Sequence, residues 1–185
     1  MKTKTDIHET LIEASKKGNN KARKQLYELY SCAMFNICYR MMNNREDAED
    51  IMQEAFVLAF SKLGTFRYES TFGAWLKRIV INTCINAIQK RKVDLLYTDN
   101  IANYEYNSND NDETEWPFTV REVKNAMKLL PEGGRLIFSL YLFEGYDHTE
   151  IAQILDITVS TSKSQFMRAK RRLIDLLKEN QYEQA

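Results

Sequence analysis

Helix-breaking residues are scarce in this chain, which has only 2 prolines and 6 glycines in 185 residues. Because proline and glycine interrupt helices, their scarcity favours a fold built from long helices. Apolar runs are also short, and none reaches the roughly 18 consecutive apolar residues of a membrane-spanning helix. The segment Met1–Asp6 lacks the apolar core of a signal peptide. We therefore expect a cytoplasmic protein with no direct membrane insertion.

Few residues are suited to catalysis or metal binding. The three cysteines, Cys32, Cys38 and Cys84, form no CxxC pair and fall within apolar helical patterns, so we expect buried free thiols. The two histidines, His8 and His148, have no carboxylate or nucleophile at motif spacing and are assigned to surface or capping positions. Glycine-rich phosphate loops and nucleophile elbows are absent from the sequence. We expect no enzyme activity, no catalytic residues, no metal site and no cofactor.

The formal net charge is zero, but the charges are segregated along the chain. Residues 93–122 contain eight acids and one base, whereas residues 77–92 and 163–172 each contain five bases and no acid. Local fields rather than the sum decide where a phosphate backbone can lie. The two basic segments are therefore candidates for contact with nucleic acid.

Composition divides the chain into two helical modules. Residues 94–117 are rich in Asn, Asp, Ser and Tyr and lack helical periodicity, as is typical of a solvated linker. We predict an all-α protein in which two small helical domains, residues 6–92 and 118–180, are joined by a flexible acidic linker, residues 93–117. In the first domain, helices are expected near residues 22–42, 45–63 and 71–92. The inward face of the first of these helices is predicted to comprise Leu26, Leu29, Tyr30, Ala33, Met34, Ile37, Cys38 and Met41.

The stretch 147–173 predicts a helix-turn-helix with a basic second helix. Asp147 and Glu150 have the spacing of a capping box, and Asp156 stands where the turn needs a left-handed residue. Thr158 is placed to cap the second helix, whose early residues are hydroxyls, an amide and long cations. Such side chains bind phosphates and base edges. The alternative is a helical hairpin with a solvated basic face.

An acidic face is predicted on the helix that begins near residue 45. Asp47, Asp50 and Glu54 project from one side of it, with Gln53 beside them. Three readings remain open: a solvated surface, a docking surface for a basic helix, or a metal site, although no histidine accompanies the acids.

An aromatic loop precedes the basic helix of the first domain. Residues 65–75 place four aromatic residues and Arg67 together, and aromatic faces can stack on unpaired bases. Trp75 is expected mainly to close the core, whereas Arg67 and Tyr68 are better candidates for exposed roles. The helix then offers cations and amides for phosphates and base edges: Lys77, Arg78, Asn82, Asn86 and Arg91.

These blocks together resemble the extracytoplasmic-function (ECF) sigma factors of bacterial RNA polymerase, in the sigma-70 family. Residues 47–56 look like the family's polymerase-binding helix, and residues 72–86 look like its promoter-melting helix. Leu130-Pro131 and the final helix-turn-helix look like the reader of the minus-thirty-five element. Two departures occur, because the family usually has glycine and valine where Ser160 and Ser162 stand, and commonly aspartate where Asn86 stands.

The resemblance implies an alternative sigma factor that binds core RNA polymerase and promoter DNA. The polymerase would be bound by Asp47, Asp50, Gln53 and Glu54. The loop 65–71 would capture a flipped minus-ten base, and the minus-ten contacts would come from Arg67, Tyr68, Lys77, Arg78, Asn82, Asn86 and Arg91. The minus-thirty-five contacts would come from Thr158, Ser160, Thr161, Lys163, Ser164, Gln165, Arg168 and Arg171. An anti-sigma factor is expected as a further partner.

Two other hypotheses fit parts of the sequence. A stand-alone helix-turn-helix regulator would bind duplex DNA tightly without polymerase. A helical adaptor that has lost DNA contact would be insensitive to replacement of Lys163 and Arg168.

Overall fold

The computed structural model describes residues 8–95 and 118–182, with side chains described for residues 8–91 and 118–179. The chain forms two compact units, Met1–Leu96 and Tyr97–Ala185. Within the described ranges every regular element is helical, in agreement with the predicted all-α fold. The predicted linker lies largely outside the described residues, which resume at residue 118.

The first unit contains four α-helices and one short 3₁₀ turn. The helices are α1 (Glu9–Lys16), α2 (Asn20–Met42), α3 (Arg45–Lys62) and α4 (Phe72–Leu95), and the 3₁₀ turn is Leu63–Thr65. Helix α2 packs against α1, α3 and α4, and α3 also packs against α4. Asn19 caps α2 and Asn44 caps α3 through their side-chain oxygens, while Asn43 is left-handed at φ 56° and ends α2. The asparagine pair between α2 and α3 therefore forms a tight corner.

The core of the first unit confirms most of the predicted apolar spacing but corrects part of it. Leu26, Met34, Ile37, Cys38 and Met41 are buried as expected. In contrast, Leu29 is 53% exposed, and Ala33 and Cys32 are exposed. The prediction of three buried thiols was wrong for Cys32, because it lies on the solvent side of α2, one helical turn from exposed Leu29.

The second unit contains four helices arranged around a long last one. They are α5 (Val120–Met127), α6 (Glu132–Leu142), α7 (His148–Leu155) and α8 (Val159–Tyr182). Helix α8 packs against each of the other three. A buried cluster joins α5, α6 and α8 and comprises Ala126, Met127, Leu130, Phe138, Ala169, Leu173, Leu176 and Leu177. Burying this apolar area is what holds the short helices on α8.

Close packing of α6 on α8 depends on a residue without a side chain. A Cβ atom at Gly134 would lie 3.2 Å from the Cβ of Ala169. Two small residues thus let the helices approach closely within the basic part of α8, residues 163–172. Among the described residues, no helix combines the length and apolar character needed to cross a membrane.

Candidate nucleic-acid interface

The turn between α7 and α8 has the geometry that the sequence predicts for a helix-turn-helix. The Asp147 carboxylate accepts hydrogen bonds from the amides of Thr149 (2.7 Å) and Glu150 (2.8 Å), and Glu150 accepts one from the Asp147 amide (2.9 Å). Asp156 is left-handed at φ 54°. Thr158 then accepts a hydrogen bond from the Thr161 amide at 3.0 Å. Both helix starts are therefore fixed by local chemistry.

Removing the first of these caps is expected to destabilise the second unit. Replacing Asp147 with alanine should lower the Tm of this unit by roughly 3–8 °C, the usual consequence of losing an N-cap in a small domain. Calorimetry of the full chain measures the change. An unchanged Tm would contradict the capping role.

The same cap has a predictable pH dependence. The pKa of Asp147 lies below its ordinary value because the Glu150 amide donates to the carboxylate. The contribution of the Asp147 cap to the stability of the second unit is therefore complete above the ordinary carboxyl pKa of about 4. It is lost as pH falls through the lowered pKa of Asp147. Asp147→Asn keeps a neutral capping oxygen, so its Tm should fall less than that of wild type between about pH 5 and about pH 2. An equal fall in Tm in the two proteins over this pH range would contradict this prediction.

The exposed side of α8 carries most of the residues predicted to meet the minus-thirty-five element. Ser160, Lys163, Arg168 and Arg171 are exposed, as is the capping Thr158. Thr161, Ser164 and Gln165 are half-buried at the base of this face. Positions 160, 164, 168 and 171 recur every three or four residues, so their side chains share one side of the helix. The result is a hydroxyl-rich and cationic surface on the first four turns of α8.

His148 is the first residue of α7, in the capping region to which the sequence analysis assigned it, and it makes contacts that the sequence did not predict. Its Nδ1 lies 2.9 Å from the hydroxyl of Ser162, which is fully buried, and its ring stacks on Tyr141 with centroids 4.6 Å apart. Burial lowers the pKa of His148, the Lys163 ammonium lowers it further, and the Asp147 carboxylate opposes both effects. The contact between His148 and Ser162 therefore ties the start of α7 to the first turns of α8. Spacing could not reveal this contact, since 14 residues separate the partners.

Helix α4 presents a second polar stripe. Arg78, Asn82 and Asn86 are exposed and lie four residues apart, which places them on one side of the helix. Lys77 is half-buried. The opposite side packs into the core through Leu76, Val80 and Ile88 among others.

The aromatic loop before α4 differs from expectation at Tyr68. Arg67 is exposed as predicted, but Tyr68 is half-buried and its hydroxyl donates a 2.6 Å hydrogen bond to Glu13 of α1. Tyr68 is therefore less exposed than predicted, because α1 supplies an acceptor 55 residues away. Phe66 and Phe72 are buried, and Trp75 lies within 5.3 Å of Phe66 between ring centroids. The structural role predicted for Trp75 is consistent with this packing.

The acidic face of α3 is present, and one of its members is already paired. Asp50, Gln53 and Glu54 are exposed, whereas Asp47 is half-buried and receives Arg91 of α4 at 2.6 Å. An ion pair thus joins Asp47, which was predicted to bind polymerase, to Arg91, which was predicted to bind DNA. Val57, which is 71% exposed, continues this face one turn beyond Gln53 and Glu54 and was missed by the sequence analysis. In the described ranges no group of three or more His, Cys, Asp or Glu side chains is placed to hold a metal ion.

Family comparisons match both units of the chain. Residues 26–93 match the family model for Sigma-70 region 2, and residues 121–173 match that for Sigma-70, region 4. The ECF RNA polymerase sigma factor SigW of Bacillus subtilis is 30% identical over 172 residues, covering 88% of this chain and 92% of that protein. The ECF RNA polymerase sigma-E factor of Haemophilus influenzae is 31% identical over 173 residues, covering 88% and 90%.

Two solved structures share the fold. The sigma factor RpoE of Bartonella quintana, solved with the anti-sigma factor NepR, gives a TM-score of 0.54 at 24% identity, covering 84% of this chain and 96% of that one. CnrH, solved with the cytosolic domain of CnrY, gives 0.52 at 22% identity, covering 92% and 96%. With both region matches and relatives of this identity along nearly its whole length, the chain belongs to the ECF sigma factors, the alternative sigma factors of RNA polymerase in the sigma-70 family.

Proposed function

We propose that this sigma factor binds core RNA polymerase through its first unit and reads promoter DNA with both units. Residues 6–92 would carry polymerase binding and minus-ten recognition, residues 93–117 the linker, and residues 118–180 minus-thirty-five recognition. The observation that carries the proposal is the exposed, cationic and hydroxyl-bearing start of α8 behind a doubly capped turn. The protein would act without catalysis of its own, in the cytoplasm where the polymerase works.

The polymerase-binding surface is proposed to be the outer side of α3. Asp50, Gln53 and Glu54 offer two carboxylates and an amide to a basic helical partner, and exposed Val57 adds an apolar contact at the end of the same face. Charge complementarity speeds and orients such docking, while burial of an apolar side chain adds affinity. Asp47 is assigned to the rim of this surface, since it already holds Arg91.

The minus-ten surface is proposed to combine the loop 65–71 with the stripe on α4. A base displaced from the stack would enter beside Arg67, and Asn82 would contact a neighbouring base edge. Lys77, Arg78, Asn86 and Arg91 would contribute phosphate or base contacts along α4. Tyr68 retains a role in this surface through its ring, with its hydroxyl engaged by Glu13.

The minus-thirty-five surface is proposed to be the first four turns of α8 in the major groove. Lys163, Arg168 and Arg171 would neutralise phosphates or read guanine edges, and Gln165 would reach a base. The hydroxyls of Thr158, Ser160, Thr161 and Ser164 complete the set.

An anti-sigma factor is proposed as a regulatory partner. One solved relative of the same fold is described as a complex with the anti-sigma factor NepR. In the second unit, Leu142 and Phe143 at the end of α6 are 53% and 38% exposed, which gives such a partner an apolar surface.

Transcription in vitro tests the proposed function. Purified chain and core polymerase should together initiate at discrete sites on fragmented genomic DNA, mapped by sequencing transcript 5′ ends. Core polymerase alone supplies the background, and the chain alone should give no transcript. A chain that binds duplex DNA tightly by itself but leaves the start sites of core polymerase unchanged would be a stand-alone regulator, contrary to the proposal.

A further inference from the structure

Helix α1 contacts the aromatic loop through two charged side chains. The Tyr68 hydroxyl donates to the Glu13 carboxylate at 2.6 Å, and the Lys16 ammonium lies 2.9 Å from the same carboxylate oxygen. Lys16 also donates to the carbonyl oxygen of Phe66 at 3.2 Å and lies 4.5 Å from the centre of the Tyr68 ring. Glu13 and Lys16 thus contact the backbone of the loop at Phe66 and both the ring and the hydroxyl of Tyr68. The sequence analysis assigned no functional role to α1.

The loop conformation that these contacts hold is an unfavourable one in isolation. Tyr68 has φ 60°, the left-handed region, which a bulky side chain rarely adopts without external support. Its ring packs on Phe66 with centroids 4.7 Å apart, so the side chain is turned inward. The neighbouring Arg67 is exposed.

We propose that Glu13 and Lys16 are positioning residues that hold the loop 65–71 in the shape that accepts a flipped base. This inference rests on the proposed function, in which that loop captures a base of the minus-ten strand. A loop already held in its binding shape loses less conformational entropy when the base enters. The gain in binding free energy is therefore expected for the captured base, and not for contacts to the phosphates. Helix α1 therefore contributes to base selectivity through Tyr68 and the Phe66 carbonyl.

The test measures binding of holoenzyme to single-stranded minus-ten oligonucleotides that each carry one abasic position. In the wild type, one position should show a large ratio of Kd for the abasic strand to Kd for the intact strand. Glu13→Ala and Tyr68→Phe should each reduce that ratio by about three- to tenfold, the loss expected for one typical intramolecular hydrogen bond. Kd for the abasic strand itself should change by less than about twofold, since only the captured base is affected.

Two further variants separate positioning from general stability. Glu13→Gln keeps an acceptor for the Tyr68 hydroxyl and should recover part of the ratio. Glu9→Ala removes an exposed carboxylate from the same helix and should leave the ratio at the wild-type value. An unchanged ratio in both Glu13→Ala and Tyr68→Phe would overturn the inference, as would an equal weakening of every oligonucleotide. If the wild type shows no sensitive position at all, base capture by the loop is wrong, and the positioning role falls with it.

Discussion

Replacing Asp50 and Glu54 together with lysine is expected to abolish assembly with core polymerase. Both carboxylates are exposed on the proposed docking side of α3, and each reversal places a cation against a basic partner. Like charges at an interface cost several kcal/mol, so Kd for the core should rise at least about a hundredfold, or ~2.7 kcal/mol. Fluorescence anisotropy of labelled protein titrated with core polymerase measures Kd. Promoter-specific transcription should disappear with it.

A matched control keeps this result interpretable. Glu9→Lys with Glu28→Lys makes the same change in net charge at exposed positions on α1 and α2. It should bind core polymerase within about threefold of wild type, as expected for charges outside an interface. Circular dichroism should show equal helix content in both double variants. Wild-type affinity in Asp50→Lys/Glu54→Lys would remove α3 from the polymerase-binding surface.

Replacing Lys163 and Arg168 together with alanine is expected to have the second largest effect. Both are exposed on the proposed DNA-facing side of α8, and cations on phosphates supply much of the affinity for duplex DNA. Holoenzyme should bind promoter DNA about ten- to a hundredfold more weakly. The slope of log Kd against log salt should fall by roughly one for each lost phosphate contact.

The control for this experiment comes from the same unit. Lys124→Ala with Lys178→Ala removes two exposed cations from α5 and the far end of α8, and it should leave both Kd and the salt slope near wild type. Gln165→Ala has a different expected signature, which is weaker discrimination at one base pair with an unchanged salt slope. Full promoter activity after loss of Lys163 and Arg168 would favour the adaptor hypothesis.

The parts of the fold that local chemistry dictates could be predicted from the sequence. The capping pair Asp147 and Glu150 and the left-handed Asp156 depend on neighbours within a few residues, so their spacing identified the helix-turn-helix. Long helices followed from the apolar spacing. The spacing failed at Leu29 and Ala33, because α2 carries apolar residues on more than one side, and spacing alone does not tell which side other helices cover.

The candidate site was less predictable wherever it depends on distant contacts. Tyr68 was assigned an exposed role in a loop whose aromatic rings could stack on unpaired bases, yet its partner Glu13 lies in the first helix. His148 looked isolated in the chain, and its partner Ser162 lies across the turn on α8. Asp47 and Arg91 were assigned to different ligands, and the packing of α3 on α4 brings them together. Sequence patterns give the type of each side chain, whereas three-dimensional packing decides which of them remain available.

Permanganate footprinting of a promoter mapped by the transcription assay tests the central claim most directly. Permanganate oxidises unpaired thymines, so it reports strand separation at the minus-ten element. The account predicts reactive thymines there only when this chain and core polymerase are both present, with none for either component alone and none for the Asp50→Lys/Glu54→Lys protein. Melting by core polymerase without the chain, or an unmelted promoter with both present, would contradict it.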